Sequence, residues 1–238
     1  MTVDPLVLVA EVDRATERLL RTAARLDEAA LAVPSLLPGW TRGHVLAHIA
    51  RNADSMVNLF TSARTGQDIP QYPSDQARDA EIARDADRPP AVHLDDLRGS
   101  AARFADAVAQ MPPDAWAATV PARGERRPAA TLVWGRLREV EVHHVDLDAG
   151  YTTADWPEAF SHHLLHELVT GMSRRAGVPA MVLRPTEARH DLTIGEPEGA
   201  PVVSGAAHEL AGWLAGRSAG ATLTVTPPGD LPTPPEWI

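Results

Sequence analysis

An α+β chain is expected, with a four-helix bundle in residues 1–150 and a small α/β domain in residues 151–238. Three observations predict this class. Apolar residues recur at spacings of three and four in several stretches before Gly150, the period of a helix buried along one face. Past Tyr151 the texture changes to short β-like runs separated by turn residues. A hydrophobic content of 44% over 238 residues is enough to bury a core.

The first helix is expected from Pro5 to about Leu26, with Leu8, Val12, Ala15, Leu19, Ala23 and Leu26 along one face. Pro38 and Gly39 break the pattern. Thr41 is placed to cap a second helix running to about Arg64, whose stripe is Val45, Ile49, Asn52, Ala53, Met56 and Phe60. Thr65 to Val92 is polar and proline-bearing and is expected to be a long loop with a short helix near Asp79. A third helix follows His93, with Leu97, Ala101, Phe104, Val108 and Met111 on one side. The PARGERRPAA run is expected to be a connection, after which Thr131 begins a fourth helix that ends at Gly150.

In the second part, PEAFSHHLLHELVTGMSRR is expected to be helical. MVLR, DLTI, PVVS and ATLTVT are expected to be strands, with the amphipathic helix AAHELAGWLAGR between the last two. The tail PPGDLPTPPEWI is expected to be extended.

Two of these helices carry chemistry. LREVEVHHVDLDAG holds two histidines and four carboxylates. Glu139 and His143 are four residues apart, so both side chains leave one helix face, and Asp146 continues the stripe. The plain alternative is a solvated face with ordinary charge pairs. PGWTRGHVLAHIARN holds His44 and His48 at the same spacing. His48 lies about 90° from the centre of its helix's apolar stripe and His44 farther round, so His48 is the better inward candidate. Singly, each has a bland alternative: a core-edge histidine on a backbone carbonyl for His48, a first-turn surface residue for His44. One histidine from the early helix with a Glu/His pair from the later one makes the donor composition of many catalytic zinc sites, which keep one position open. Facing helices of a bundle are where such sites are built.

His162 and His166 form another such pair, but without a carboxylate partner and without the HExxH pattern. His93 reads as a helix-entry residue. Arg217 ends the last helix. It has an ordinary role there as a cation at a helix C-terminus, and a functional one as an anion clamp reaching across the domain boundary.

Composition excludes several classes. There is no cysteine, so there is no disulfide framework, thiolate ligand or cysteine nucleophile, and any sulfur nucleophile must come from outside. A net charge of −10 argues against nucleic acid and anionic membrane surfaces. An anionic substrate would need local arginines, for which Arg42, Arg51, Arg136 and Arg138 are candidates. No apolar run reaches membrane-span length and the N-terminus lacks a basic leader, so a cytoplasmic location is expected.

LPGWTRGHVLAHIARNADSM, LREVEVHHVDLDAGY and HELAGWLAGR together resemble the mycothiol-dependent maleylpyruvate isomerase family over most of the chain. The resemblance implies a DinB-like four-helix metal-binding bundle and a C-terminal domain similar to sterol carrier proteins. It places zinc on His48, Glu139 and His143, and an important arginine, catalytic and cofactor-binding, on Arg217. His144 beside His143 leaves that ligand open by one residue. The implied reaction uses mycothiol: thiolate adds to a cis double bond, the resulting single bond rotates, and elimination gives the trans product. Two other functions share these features, a mycothiol S-transferase acting on another electrophile and a non-catalytic zinc-containing regulatory protein. The expected partners are a small anionic substrate and a low-molecular-weight thiol, with the chain a monomer or weak homodimer.

Overall fold

A computed structural model describes residues 4–122, 125–235 and 237. The chain divides into two compact units, Met1–Gly150 and Tyr151–Ile238.

The first unit is built on four long helices: α1 (Pro5–Ala23), α3 (Arg42–Thr65), α5 (Pro90–Ala109) and α6 (Thr131–Asp146). Side chains cap the starts of α1 and α3. Asp4 caps α1, its side chain accepting from the Leu6 N–H at 2.9 Å, with Pro5 in the first turn where its missing N–H costs nothing. Thr41 and His44 cap α3 reciprocally: Thr41 Oγ1 accepts the His44 N–H and His44 Nδ1 accepts the Thr41 N–H. Gly66 ends α3 in the left-handed region at φ 71°, as a residue without a Cβ can.

Burial follows the expected stripes. Leu8, Val12, Ala15, Leu19 and Ala23 are buried on α1, and Val45, Ile49, Asn52, Ala53, Met56 and Phe60 on α3. Leu26, expected on the α1 stripe, lies beyond the helix and is half-buried. The helix α3 packs against α5 and α6, and α6 also packs against α1. A Cβ at Gly43 would stand 2.1 Å from the Ala86 carbonyl oxygen, so only glycine lets the first turn of α3 approach this closely.

Between the long helices, shorter elements add to what was expected. The short helix expected near Asp79 is present as α4 (Asp75–Asp85), 11 residues long, while the one-turn helix α2 (Glu28–Leu31) before α3 was not expected. Ile82 and Asp85 are the buried residues of α4, so it has no apolar stripe to announce it. Asp85 anchors it by accepting from Arg51 Nη1 at 3.1 Å, Arg84 Nε at 2.9 Å and Arg88 Nη2 at 2.7 Å. The PARGERRPAA run is not a plain connection, because β1 (Thr119–Ala122) and β2 (Glu125–Pro128) pair antiparallel, with Ala122 opposite Glu125. All of β2 is exposed, leaving no alternation to read. Arg123 and Gly124 of that run, and Glu236 and Ile238 of the tail, lie outside the described residues.

In the second unit, α7 (Glu158–Met172) precedes β3 (Met181–Pro185), β4 (Leu192–Ile194) and β5 (Val202–Gly205), and α8 (Ala207–Leu214) joins β5 to β6 (Thr224–Thr226). The sheet order is β4-β3-β5-β6, with β3 and β5 parallel and both outer pairings antiparallel. Met181 and Leu183 of β3 point into a core with Val203, Ile194, Leu164, Leu168, Leu210 and Leu214. Among the described residues no helix is long and apolar enough to cross a membrane.

Candidate metal centre

Two neighbouring pairs on α6 face different helices, and this sorts the residues that the sequence left ambiguous. Glu141 accepts an ion pair from Arg18 Nη2 and His144 Nε2 meets Thr22 Oγ1 at 2.8 Å, so both face α1. Glu139 and His143 leave the face turned toward α3, where His48 projects from its second turn.

There His48 Nε2 lies 3.0 Å and His143 Nε2 lies 3.4 Å from the same oxygen, Glu139 Oε2. The imidazole centroids are 4.6 Å apart and nearly perpendicular. One donor atom from each of the three residues lies within 4.8 Å of the others. The histidines are buried and Glu139 nearly so. Asp146, one turn on, contributes from outside the trio: its Oδ2 accepts from His143 Nδ1 at 2.8 Å. That bond holds a proton on His143 Nδ1 and leaves Nε2, which faces Glu139, as the nitrogen that would take a metal once its own proton is lost. Two imidazoles and a carboxylate without thiolate fit zinc.

The electrostatics prepare these donors. Burial pushes the His48 pKa down to about 4, helped by the nearby His143 charge, so the ring is neutral at pH 7. For Glu139, burial pulls the carboxyl upward, but hydrogen bonds from His143 and His48 outweigh it and hold the group well below the usual carboxylate range. For His143, burial is outweighed by hydrogen bonds to Asp146 and Glu139, and the pKa rises. A cation bound there displaces a proton.

The arginines nominated from sequence are largely employed in the scaffold. Arg42 donates to the backbone carbonyls of Leu147 and Asp148. Arg51 pairs with Asp54, Asp85 and Asp96. Arg136 is wholly buried and gives Nη1 to Ile49 O at 2.8 Å and Asn52 Oδ1 at 2.9 Å, tying α6 to α3 about one turn from the trio. Arg138 is half-buried. Arg78, next to the Asp79 around which a short helix was expected, also lies beside the trio. Its Nη2 is 3.4 Å from His48 Nδ1, and Trp40 packs edge-on to the His48 ring at 5.6 Å. Trp40 was legible as part of PGWTRGH, whereas α4 has no periodicity that would have flagged Arg78.

The remaining candidates lie elsewhere. His44 serves the Thr41 cap, and His93 Nε2 meets the Ala86 carbonyl at 3.1 Å. His162, His163 and His166 sit on α7 in the second unit, and no metal-type cluster includes them among the described residues. Arg217 follows α8, where its Nη1 donates to Ala215 O at 2.7 Å and its guanidinium lies 6.0 Å from the Trp237 ring centroid.

Residues 12–148 match the mycothiol maleylpyruvate isomerase N-terminal domain family, and residues 155–236 match the MDMPI C-terminal domain family. A crystal structure of the mycothiol-dependent maleylpyruvate isomerase is similar at 31% identity and a TM-score of 0.91, covering 99% of this chain and 98% of the other. A histidine-to-alanine mutant of that enzyme is similar at 31% identity and a TM-score of 0.90, with the same coverage. No curated protein matches the chain.

Proposed function

The chain belongs to the mycothiol maleylpyruvate isomerase family, and on that premise we propose that it is a zinc-dependent enzyme using mycothiol to isomerise maleylpyruvate, or a close cis relative, to the trans product. The observation that carries this is the buried His48, Glu139 and His143 trio, with donor atoms converging within 4.8 Å. Zinc on three such ligands supplies a fourth position at which a thiol sulfur is held as thiolate at neutral pH.

The protein's own contribution is to keep that arrangement ready. Low proton affinity leaves His48 able to donate a lone pair, and Glu139 stays ionised between the two rings. Asp146 fixes the tautomer and angle of His143. Arg136 locks α3 to α6 so that donors on separate helices face each other. Arg217 is proposed to hold an anionic group of the substrate and to stabilise negative charge that develops during the reaction.

Metal analysis and a thiol-dependence assay on the purified protein test the proposal. One zinc per chain and isomerisation only with mycothiol are expected, with the thiol regenerated. A folded protein that neither contains nor takes up zinc would overturn it, and thiol consumed in step with product would identify an S-transferase instead.

A related prediction isolates Asp146. Asp146→Ala is expected to weaken zinc binding roughly 10- to 100-fold, the usual effect of removing a histidine's orienting partner. Asp146→Asn retains an acceptor and should lose less. Chelator competition measures both, and wild-type affinity in Asp146→Ala would show that His143 needs no such partner.

A further inference from the structure

Arg78 sits on α4 against the trio, and three observations define its surroundings. Its Nη2 lies 3.4 Å from His48 Nδ1. Its guanidinium is held between two rings, 6.0 Å from the Trp40 centroid and 5.9 Å from that of Tyr72. Its ion pair among the described residues is with Asp79, its exposed sequence neighbour, at 2.7 Å. The Tyr72 side chain also shares a hydrogen bond with it, so Arg78 brings a positive charge and a fork of N–H donors close to the trio.

A guanidinium can only donate, so the contact with His48 requires Nδ1 to be bare, with the ring proton on Nε2 facing Glu139. If His48 gives its Nε2 lone pair to a metal, its proton sits on Nδ1, and the two N–H groups then meet donor to donor. Loading the site therefore releases Arg78 from His48 while Trp40 and Tyr72 still hold the guanidinium nearby. A chain of net charge −10 repels small anions unless a local cation receives them.

Resting on the function proposed above, we propose that Arg78 binds a carboxylate of the anionic substrate beside the metal centre. The ligand class is a short dicarboxylate, whose planar carboxylate matches the guanidinium fork. The competing account is that Arg78 only packs α4 onto the bundle. It predicts a lower melting temperature with ligand binding intact.

The test is equilibrium binding of maleate, an unreactive dicarboxylate probe in the absence of thiol, to the zinc-loaded protein by calorimetry. Wild type, Arg78→Gln and Arg78→Lys are compared, with zinc content and melts recorded in parallel. Arg78→Gln should keep one zinc per chain while its maleate Kd rises roughly ten- to a hundredfold, the usual loss for a charged hydrogen bond. Arg78→Lys keeps the charge and the stem but not the fork, and should fall between the other two. If Arg78→Gln binds maleate as tightly as wild type, if wild type binds none, or if Arg78→Gln stays folded but sheds zinc, the proposal is overturned. Failure of the underlying function is visible separately, as a wild-type protein without zinc or without thiol-dependent turnover.

Discussion

Replacing His48, Glu139 or His143 by alanine is expected to empty the metal site and to reduce thiol-dependent turnover to background. Each supplies one of three donors that converge within 4.8 Å, so each loss leaves two ligands and a gap. The affinity loss should exceed the roughly 10- to 100-fold expected for Asp146→Ala, because a donor is removed and not merely its support. Three other histidines serve as controls. His44→Ala removes half of a helix cap and His144→Ala a hydrogen bond to Thr22. Each should cost about 1 kcal/mol of stability with zinc retained. His162→Ala, on α7, should also keep its zinc. Zinc content and thermal melts on all six variants separate the outcomes. A His144→Ala protein without metal, beside a His143→Ala protein that keeps it, would refute the assignment.

Arg217→Ala is expected to retain zinc and to lose catalysis on the order of a hundredfold, near 3 kcal/mol, the scale of one charge-assisted contact made in the transition state. Arg217→Lys should also be impaired, since a point charge does not reproduce a bidentate fork. The ordinary role is a real competitor, because one guanidinium N–H already donates to Ala215 O beyond the end of α8. A helix-end cation alone predicts a loss of about 0.3 to 1 kcal/mol in stability with turnover intact. Melts and steady-state kinetics on the two variants decide, and a destabilised but fully active Arg217→Ala enzyme would exclude the clamp.

The sequence by itself determined what is governed by local periodicity. The first three long helices were legible because each buries an apolar stripe at a 3.6-residue period, and the starts of α1 and α3 because Pro5 fits a first turn and Thr41 can cap a helix, whereas α5 begins at Pro90, before the His93 after which it was expected. For the same reason the sequence put Glu139 and His143 on one face, since four residues are about one turn. It gave α4 only as a short helix inside a loop and missed the β1–β2 pairing, because there stability is not written along one element. The helix α4 is anchored by Asp85 reaching arginines that include Arg51 on α3, and β2 exists through pairing with β1. Neither carries the stripe or alternation that the burial of a face imposes.

Only the tertiary structure decided which face of α6 meets which neighbour. His143 and His144 differ by one position along the chain, about 100° around the helix, and nothing local says whether α1 or α3 lies on either side. Packing turns Glu139 and His143 to His48 on α3, and Glu141 and His144 to Arg18 and Thr22 on α1. It also brings Arg78, 30 residues from His48 in sequence, to within 3.4 Å of that ring, and commits Arg51 and Arg136 to the scaffold. Contacts between residues far apart in sequence depend on how whole helices seat against one another, and no local repeat encodes that.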